Sequence, residues 1–242
     1  MIRAILAAVA VLCLASIAHA QDPAAAKKLW DQVAAPTAKL SNSCTAEIIY
    51  SNRDQKTGKV ETLVLTAKHC VDTAKPGDTQ TVDVTSYDAR LNAVKVTSYL
   101  ADVAGRAASS DVALLRLRDK DTWFENVIAL ESAEAPLLFG EDVIAVGYPR
   151  AMALTLTRGA LGPIDRINVT GQEHGYLRSS TDIAPGSSGG GLYHIAADGD
   201  WKLIGIATAG VTSAPFMTFF TSIDEIEAYL KVAAPQIYAA KK

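Results

Sequence analysis

Eleven residues at positions 182–192, DIAPGSSGGGL, contain two serines and four glycines. Such a composition is typical of a solvated linker. Apolar residues flank the segment, however, with Leu177 before it and Tyr193 after it. The alternative is a tight turn that presents one serine hydroxyl to a reacting carbonyl, which is chemistry that needs a base and an acid elsewhere in the chain.

Three histidines outside the first twenty residues are candidates for the base. His69 follows the apolar residues 63–67 and precedes Cys70, and a strand end beside a covalent cross-link would hold an imidazole rigidly. We interpret His174, in the sequence EHG, as a solvated turn residue and His194 as a surface residue of a strand. His69 is therefore the predicted base.

Asp111 is the candidate acid, because its carboxylate precedes the mainly apolar residues 112–117. Residues 186–190 also fit G-x-S-x-G, the nucleophile elbow of α/β hydrolases, which leads into a helix and needs an acid and then a histidine downstream. Residues 190–193, GGLY, are a poor helix start, and His194 is the one histidine that follows. The elbow interpretation is therefore rejected.

Two cysteines, Cys44 and Cys70, remain once the first twenty residues are set aside. In an oxidising compartment this pair predicts a disulfide, which would stabilise the fold by about 3 kcal/mol. A zinc site is the alternative, with His69 as a third ligand, but no fourth ligand occurs at a suitable spacing. The sequence favours the disulfide and predicts no metal.

The first twenty residues have the pattern of a cleaved secretory signal. Arg3 precedes an apolar run at 4–18, and Ala18-His19-Ala20 places small residues at both key positions of a cleavage site. The run is short for a transmembrane helix. We therefore expect a secreted or periplasmic protein that begins near Gln21, with no stable membrane insertion after cleavage.

The overall composition argues against one class of partner. The chain of 242 residues is 49% hydrophobic, which is enough to bury a sizeable core, and its net charge is −3. It contains no block of five or more basic residues. We therefore expect no nucleic-acid partner.

Short β-rich segments separated by turn signals predict an all-β fold in two similar halves. Helices are predicted at 24–33 and at 222–232, where Ser222 is the expected N-cap and Glu225 its capping-box partner. The strands predicted in the first half are 45–50, 60–66, 81–86, 93–100 and 112–117. Those predicted in the second half are 143–147, 155–157, 164–170, 175–179, 192–195, 203–207 and 216–221.

Three motifs in this order resemble those of the trypsin-like (chymotrypsin-fold) serine proteases, in a bacterial-type secreted form. They are LTAKHC at 65–70, DVALL at 111–115 and PGSSGG at 185–190. The resemblance extends from about residue 41 to the final helix. It implies hydrolysis of peptide bonds in a peptide or protein substrate by a serine endopeptidase, without a cofactor.

The resemblance also assigns a role to each candidate residue. Ser188 would attack the carbonyl, His69 would accept and return the proton, and Asp111 would orient the imidazole. The backbone N–H groups of Gly186 and Ser188 would form the oxyanion hole, in which each donor is worth roughly 3 to 4 kcal/mol of transition-state stabilisation. The segment at 205–210, with Thr208 and Gly210, resembles the strand edge that pairs with substrate.

The fold implied by the resemblance is two packed antiparallel six-stranded β-barrels with a C-terminal helix. The chain then divides into a signal peptide at 1–20, an N-terminal segment at 21–40, a first barrel at 41–130 and a second barrel at 131–242. The first barrel would carry His69 and Asp111, and the second Ser188. The segment 21–40 is either a removable propeptide or a helix packed on the first barrel.

The chain departs from the family pattern at residues that bear on activation and specificity. Ser187 stands where animal digestive members carry the aspartate that receives a new N-terminus, so that activation switch is not expected. Lys68 beside His69 would lower the imidazole pKa only if it pointed inward. Asp182, six residues before Ser188, would favour Arg or Lys at P1 if it lay at the base of the pocket.

Two alternatives stay open on the sequence. Asp182 is otherwise a turn aspartate that caps local backbone N–H groups. The whole chain is otherwise a catalytically silent or regulated homologue that acts as a secreted binding protein, although no triad residue is missing. An esterase on the same triad is a third interpretation.

Overall fold

The structure is a computed structural model, and it describes residues 22–72, 78–88, 92–169, 172–211, 214 and 216–239. The predicted signal peptide at 1–20 lies outside the described residues. Twelve strands form two closed barrels of six strands each, and the neighbouring strands pair antiparallel. The predicted all-β fold of two six-stranded barrels with a C-terminal helix is therefore confirmed.

The two barrels have the same strand order. The first is closed in the order β1-β2-β3-β6-β5-β4, and the second in the order β7-β8-β9-β12-β11-β10. The first-barrel strands are β1 Thr37–Leu40, β2 Thr45–Arg53, β3 Val60–Thr66, β4 Thr79–Tyr87, β5 Ala93–Arg106 and β6 Ala113–Leu117. The second-barrel strands are β7 Asp142–Gly147, β8 Thr155–Val169, β9 Gln172–Ser179, β10 Gly191–Ile195, β11 Trp201–Gly210 and β12 Thr218–Ser222.

Strands at the contact between the barrels are buried on both faces. Successive side chains of a strand point to opposite faces. In β3, Val64 points into the first barrel, whereas Leu63 and Leu65 belong to the core between the barrels. Ile144 and Ile206 join this central core from the second barrel. The sequence of such a strand is therefore a continuous apolar run.

The N-terminal segment is part of the folded structure. Helix α1, Pro23–Leu29, continues into the π-helical turn Trp30–Ala34, and β1 follows. The first barrel therefore begins inside the segment 21–40. Gln32 contacts the second barrel, because its Oε1 accepts a hydrogen bond from the Trp201 N–H (2.9 Å).

The C-terminal helix is close to its predicted bounds, but its start is built differently. Helix α2 is Ile223–Ala233, with Ser222 at the N-cap, and the short helix α3, Gln236–Ala239, follows. The Ser222 hydroxyl donates to the Gly175 carbonyl (2.8 Å), and Glu225 accepts from the Gly175 N–H (3.1 Å). The predicted capping box is therefore wrong, because both side chains bond to the neighbouring strand β9 instead.

Two strand predictions were also incomplete. β8 is continuous through the residues between the predicted strands 155–157 and 164–170, since Gly162 and Pro163 are accommodated at a register shift between Leu161 and Ile164. The predicted strand 216–221 begins later, at Thr218. Within the part of the chain that the structure describes, no helix is long and apolar enough to cross a membrane.

Candidate active site

His69 and Asp111 meet where two paired strands end side by side. β3 runs into the 3-10 turn Lys68–Cys70, and Asp111 lies two residues before β6, which pairs antiparallel with β3. The His69 N–H donates to Asp111 Oδ1 (2.9 Å), and His69 Nδ1 is 2.8 Å from Asp111 Oδ2. Both carboxylate oxygens therefore fix the histidine, one through its backbone and one through its ring.

This pair is charge-coupled and partly open to solvent. The His69 side chain is 42% exposed and that of Asp111 15%. The hydrogen bond to Asp111 raises the pKa of His69, against the opposing effect of burial. Burial alone would raise the pKa of Asp111, but the hydrogen bonds from His69 outweigh it and lower the pKa. Asp111 therefore stays ionised and stabilises a protonated imidazole.

Ser188 lies in a loop that both barrels hold. The Thr45 N–H of the first barrel donates to the Ser188 carbonyl (2.8 Å), and the Gly189 N–H donates to Ala207 O of the second (2.8 Å). The Thr45 hydroxyl donates to the Gly186 carbonyl (2.8 Å). The Ser187 hydroxyl instead accepts a local bond from the Ala184 N–H (3.4 Å). Of the two adjacent serines, Ser187 is therefore the buried, structural one.

Two glycines are required by the conformation of this loop. Gly186 has φ +102°, and a Cβ there would lie 2.5 Å from Tyr148 O. Gly189 has φ +82°, and a Cβ there would lie 2.3 Å from Thr45 O. Among the described residues, the N–H groups of Gly186 and Ser188 make no hydrogen bond. Two backbone donors are therefore available beside Ser188.

The Ser188 hydroxyl and His69 are not hydrogen-bonded to each other among the described residues. The disulfide partner Cys70, next to His69, approaches the Ser188 backbone, with Sγ 3.7 Å from Ser188 O. Hydrogen bonds between a nucleophile and its base are often long before substrate binds. The loop that carries Ser188 thus lies against the turn that carries His69.

A cleft of about 520 Å³ opens beside Ser188. Asp182, Thr208 and Gly210 all line it, as does Arg150. Asp182 is exposed rather than buried, and its carboxylate makes no hydrogen bond or ion pair with the described residues. The apolar residues of the lining are Ile183, Ala184, Pro185, Ala209, Val211, Ala214, Phe216 and Met217.

The predicted disulfide Cys44–Cys70 is formed. It joins the start of β2 to the turn that carries His69. Because the two sulfur atoms are bonded to each other, they are not available as thiolate ligands beside His69.

The other two histidines are buried, so both surface interpretations were wrong. His194 is 4% exposed, with Nδ1 2.7 Å from Glu141 and Nε2 2.9 Å from Glu131. His174 is 3% exposed, with Nδ1 3.6 Å from Glu225. Two acidic partners distant in sequence compensate the burial of His194, whereas Nδ1 of His174 has no hydrogen-bond partner among the described residues. The local sequence carries no sign of either environment.

Two residues of the site, Thr45 and Arg150, were not predicted from the sequence. Thr45 follows Cys44 and contacts the loop of Ser188, but an isolated threonine gives no sequence signal. Arg150 lines the cleft, has a left-handed backbone (φ 54°), and donates its N–H to Pro185 O (2.5 Å). In the local sequence only Pro149 indicated a break in the strand before Arg150.

Relatives with curated names are proteases. The periplasmic serine endoprotease DegP of Escherichia coli strain K12 is 26% identical over 148 residues, which is 60% of this chain and 27% of that protein. The mitochondrial serine protease HTRA2 of Drosophila virilis is 28% identical over 131 residues, which is 52% of this chain and 28% of that protein. The matched region therefore spans less than a third of these relatives.

Solved structures share the fold. An inactive mutant form of Rv3671c from M. tuberculosis H37Rv matches with a TM-score of 0.61 and 20% identity, over 91% of this chain and 96% of that chain. The HtrA-type protease AlgW with a tripeptide matches with a TM-score of 0.62 and 19% identity, over 87% of this chain and 64% of that chain. The sequence profile of the "Trypsin-like peptidase domain" matches residues 44–206, so the chain belongs to the trypsin-like peptidase family.

Proposed function

We propose that the protein is a serine endopeptidase with Ser188 as nucleophile, His69 as general base and Asp111 as orienting acid. The observation that carries this proposal is the bidentate contact of Asp111 with His69, which leaves Nε2 as the free ring nitrogen. A neutral imidazole held in this way accepts the Ser188 proton and returns it to the leaving amine. The carbonyl carbon bonds to Ser188 Oγ, the amine leaves, and water then releases the acyl group.

The two free backbone donors complete the proposed chemistry. As Ser188 Oγ attacks, negative charge develops on the carbonyl oxygen of the substrate. The N–H groups of Gly186 and Ser188 would bind that oxygen, and a donor fixed in advance costs no reorganisation during the reaction. Gly186 suits this role because its left-handed backbone excludes other residues.

A fluorophosphonate probe tests the nucleophile directly. We expect it to label the wild type and Ser187→Ala but not Ser188→Ala, with the adduct mapped by mass spectrometry. Absence of labelling in folded wild-type protein would overturn the proposal.

The second candidate function is a silent or regulated homologue that acts as a secreted binding protein. The observation that favours it is the missing hydrogen bond between Ser188 and His69 among the described residues. The probe separates the two candidates, since a silent homologue would fold and bind peptide without being labelled.

We also propose that Asp182 confers a preference for a cationic P1 residue. A long basic side chain would place its aliphatic part against the apolar cleft and its charged head beside the Asp182 carboxylate, which has no partner among the described residues. Arg150 on the same cleft opposes this preference. A P1 peptide library with wild type and Asp182→Asn tests it: equal cleavage of Arg, Lys and small apolar P1 by both would contradict it.

The export of the protein belongs to the proposal as well. The pattern at 1–20 and the periplasmic location in the name of the DegP relative support secretion or a periplasmic location. N-terminal sequencing of protein from a periplasmic or culture fraction should begin near Gln21. An intact Met1 in all fractions would contradict it.

A further inference from the structure

A buried carboxyl group connects the first barrel to the end of the nucleophile loop. Glu47 on β2 is 0% exposed. Its Oε1 accepts a hydrogen bond from the Gly191 N–H (2.7 Å), and its Oε2 lies 2.9 Å from Thr37 Oγ1. Gly191 begins β10, directly after the loop that carries Ser188. Glu47 therefore fixes one end of that loop.

Thr45 holds the same loop from the same face of β2. Residues two apart on a strand point to the same side. Thr45 bonds to Ser188 O and Gly186 O, and Glu47 bonds to the Gly191 N–H. Three points of the loop thus depend on β2, one through the Thr45 backbone N–H and two through side chains on the same face. Glu47 is the titratable side chain at this contact.

The hydrogen bonds of Thr37 favour a protonated Glu47. Thr37 has one hydroxyl proton, and its Oγ1 lies 2.8 Å from Val33 O and 2.9 Å from Glu47 Oε2. If the carboxyl is neutral, its O–H donates to Thr37 and Thr37 donates to Val33 O, so each group has a partner. If it is ionised, Val33 O and Glu47 compete for the Thr37 proton, and the Tyr193 phenol is the other O–H close to the carboxylate.

No cation compensates a charge on Glu47. Within the described part of the chain it forms no ion pair. The titratable groups that face it are the buried phenols of Tyr193 on β10 and Tyr148 after β7. Burial raises the pKa of Glu47 to about 8, against the opposing hydrogen bonds from Thr37, Gly191 and Tyr193.

We propose that Glu47 is a positioning residue which, as a neutral carboxylic acid, holds the nucleophile loop on the first barrel and releases it on ionisation. A charged Oε1 would still accept from the Gly191 N–H, but a fully buried carboxylate with no cation among the described residues is stable only where water reaches it, so ionisation favours a state in which this contact has opened. The effect on turnover rests on the peptidase activity proposed above, whereas the protonation of Glu47 and its hold on the loop do not. Loop release disturbs Ser188 and its oxyanion donors more than the cleft walls. The loss therefore falls on kcat more than on KM.

The pH profile of kcat tests the effect on catalysis. With half-ionisation near pH 8, wild-type kcat should fall roughly tenfold between pH 7 and pH 9. Glu47→Gln keeps a neutral acceptor for Gly191 and a donor for Thr37, so it should retain the pH 7 rate and lose the alkaline fall. Glu61→Gln, on the neighbouring strand β3, is the matched control and should fall like the wild type. An alkaline fall that persists in Glu47→Gln would overturn the proposal.

Hydrogen exchange tests the hold on the loop without any catalysis. Deuterium uptake by a peptide covering 186–191 should be equal in wild type and Glu47→Gln at pH 7, and faster in wild type at pH 9. Equal uptake at both pH values would overturn the proposal. Loss of peptidase activity with this difference intact would instead count against the proposed function alone.

Carbon NMR of wild-type protein with labelled glutamate covers the case in which Glu47→Gln does not fold. One side-chain carboxyl resonance should titrate near pH 8, far above the other glutamates. Titration of every glutamate below pH 6 would overturn the proposal.

Discussion

Two histidines of this chain, His69 and His194, are both held by carboxylates, but to opposite effect. Asp111 occupies the backbone N–H and Nδ1 of His69 and leaves Nε2 open, on a side chain that is 42% exposed. His194 is 5% exposed as a side chain, and both of its ring nitrogens face a carboxylate. The first arrangement leaves a nitrogen for proton transfer, whereas the second uses the whole ring to join Glu131 to Glu141.

The surroundings of His69 suit proton transfer, whereas those of His194 suit stabilisation of the fold. A histidine with one free nitrogen can exchange a proton with a substrate or nucleophile. A buried histidine with both nitrogens engaged links the carboxylates around it, and its removal breaks that link inside the fold. His69 should therefore matter for rate and His194 for folding.

The largest expected effect is on the rate of His69→Ala. Removal of the proposed base should lower kcat by about 10⁴-fold or more, since residual catalysis would come from the oxyanion donors and binding alone. Peptide hydrolysis by folded protein measures it. His194→Ala, assayed below its unfolding temperature, should stay within about tenfold of wild type. Equal losses of kcat in the two variants would contradict the assignment of His69 to rate and His194 to folding.

The two variants should rank in the opposite order in stability, with His194→Ala losing more than His69→Ala. Removing the buried imidazole takes one contact from each of Glu131 and Glu141, which keep Lys202 and the backbone N–H of Leu138 respectively, and leaves a cavity, so it should lower the free energy of unfolding by about 2 kcal/mol. Urea denaturation followed by fluorescence measures it. His69→Ala is the control and should change the free energy by less than about 1 kcal/mol, because the side chain is half-exposed. A stable His194→Ala protein would contradict the assigned role.

Asp111 should shift the pH dependence of kcat/KM through its effect on the pKa of His69. The proposed base works when neutral, so activity rises as His69 loses its proton, and the raised pKa moves this rise above the ordinary value of 6.5. The same raised pKa contributes stability that is present below the ordinary value and is lost as pH rises through the folded-state pKa. Asp111→Asn should move the rise to lower pH and lower kcat. An unchanged midpoint would show that another group controls it.

The smallest effect is expected for Lys68→Ala, next to His69. The Lys68 ammonium donates to the Ala108 carbonyl (3.3 Å) and is not among the groups that shift the pKa of His69. Removing a partly exposed charge that contacts neither reacting group should change kcat/KM by less than about twofold. A shift of the pH profile in this variant would show that Lys68 acts on the imidazole.

Strand periodicity made most of the fold predictable, while single polar residues were misjudged. The apolar runs of β3 and β6 and the turn signals between strands were sufficient for two β halves, and the family resemblance supplied the closure into barrels. β1 was missed, because Thr37–Leu40 is short and begins with a polar residue whose burial depends on bonds to Val33 and Glu47. The capping box failed for a similar reason, since β9 offered Ser222 and Glu225 better partners than the helix backbone.

The sequence by itself determined the residue types of the candidate site and their order along the chain. It contained His69, Asp111 and Ser188, the glycines that a left-handed turn demands, and two cysteines able to form a disulfide. Tertiary structure decided which polar groups would be paired. Glu47 with Gly191, His194 with Glu131, and Thr45 with Ser188 are each distant in sequence. Hydrogen bonding and burial are settled only when two barrels pack, because a polar side chain has no preference for a partner that has not yet been brought near it.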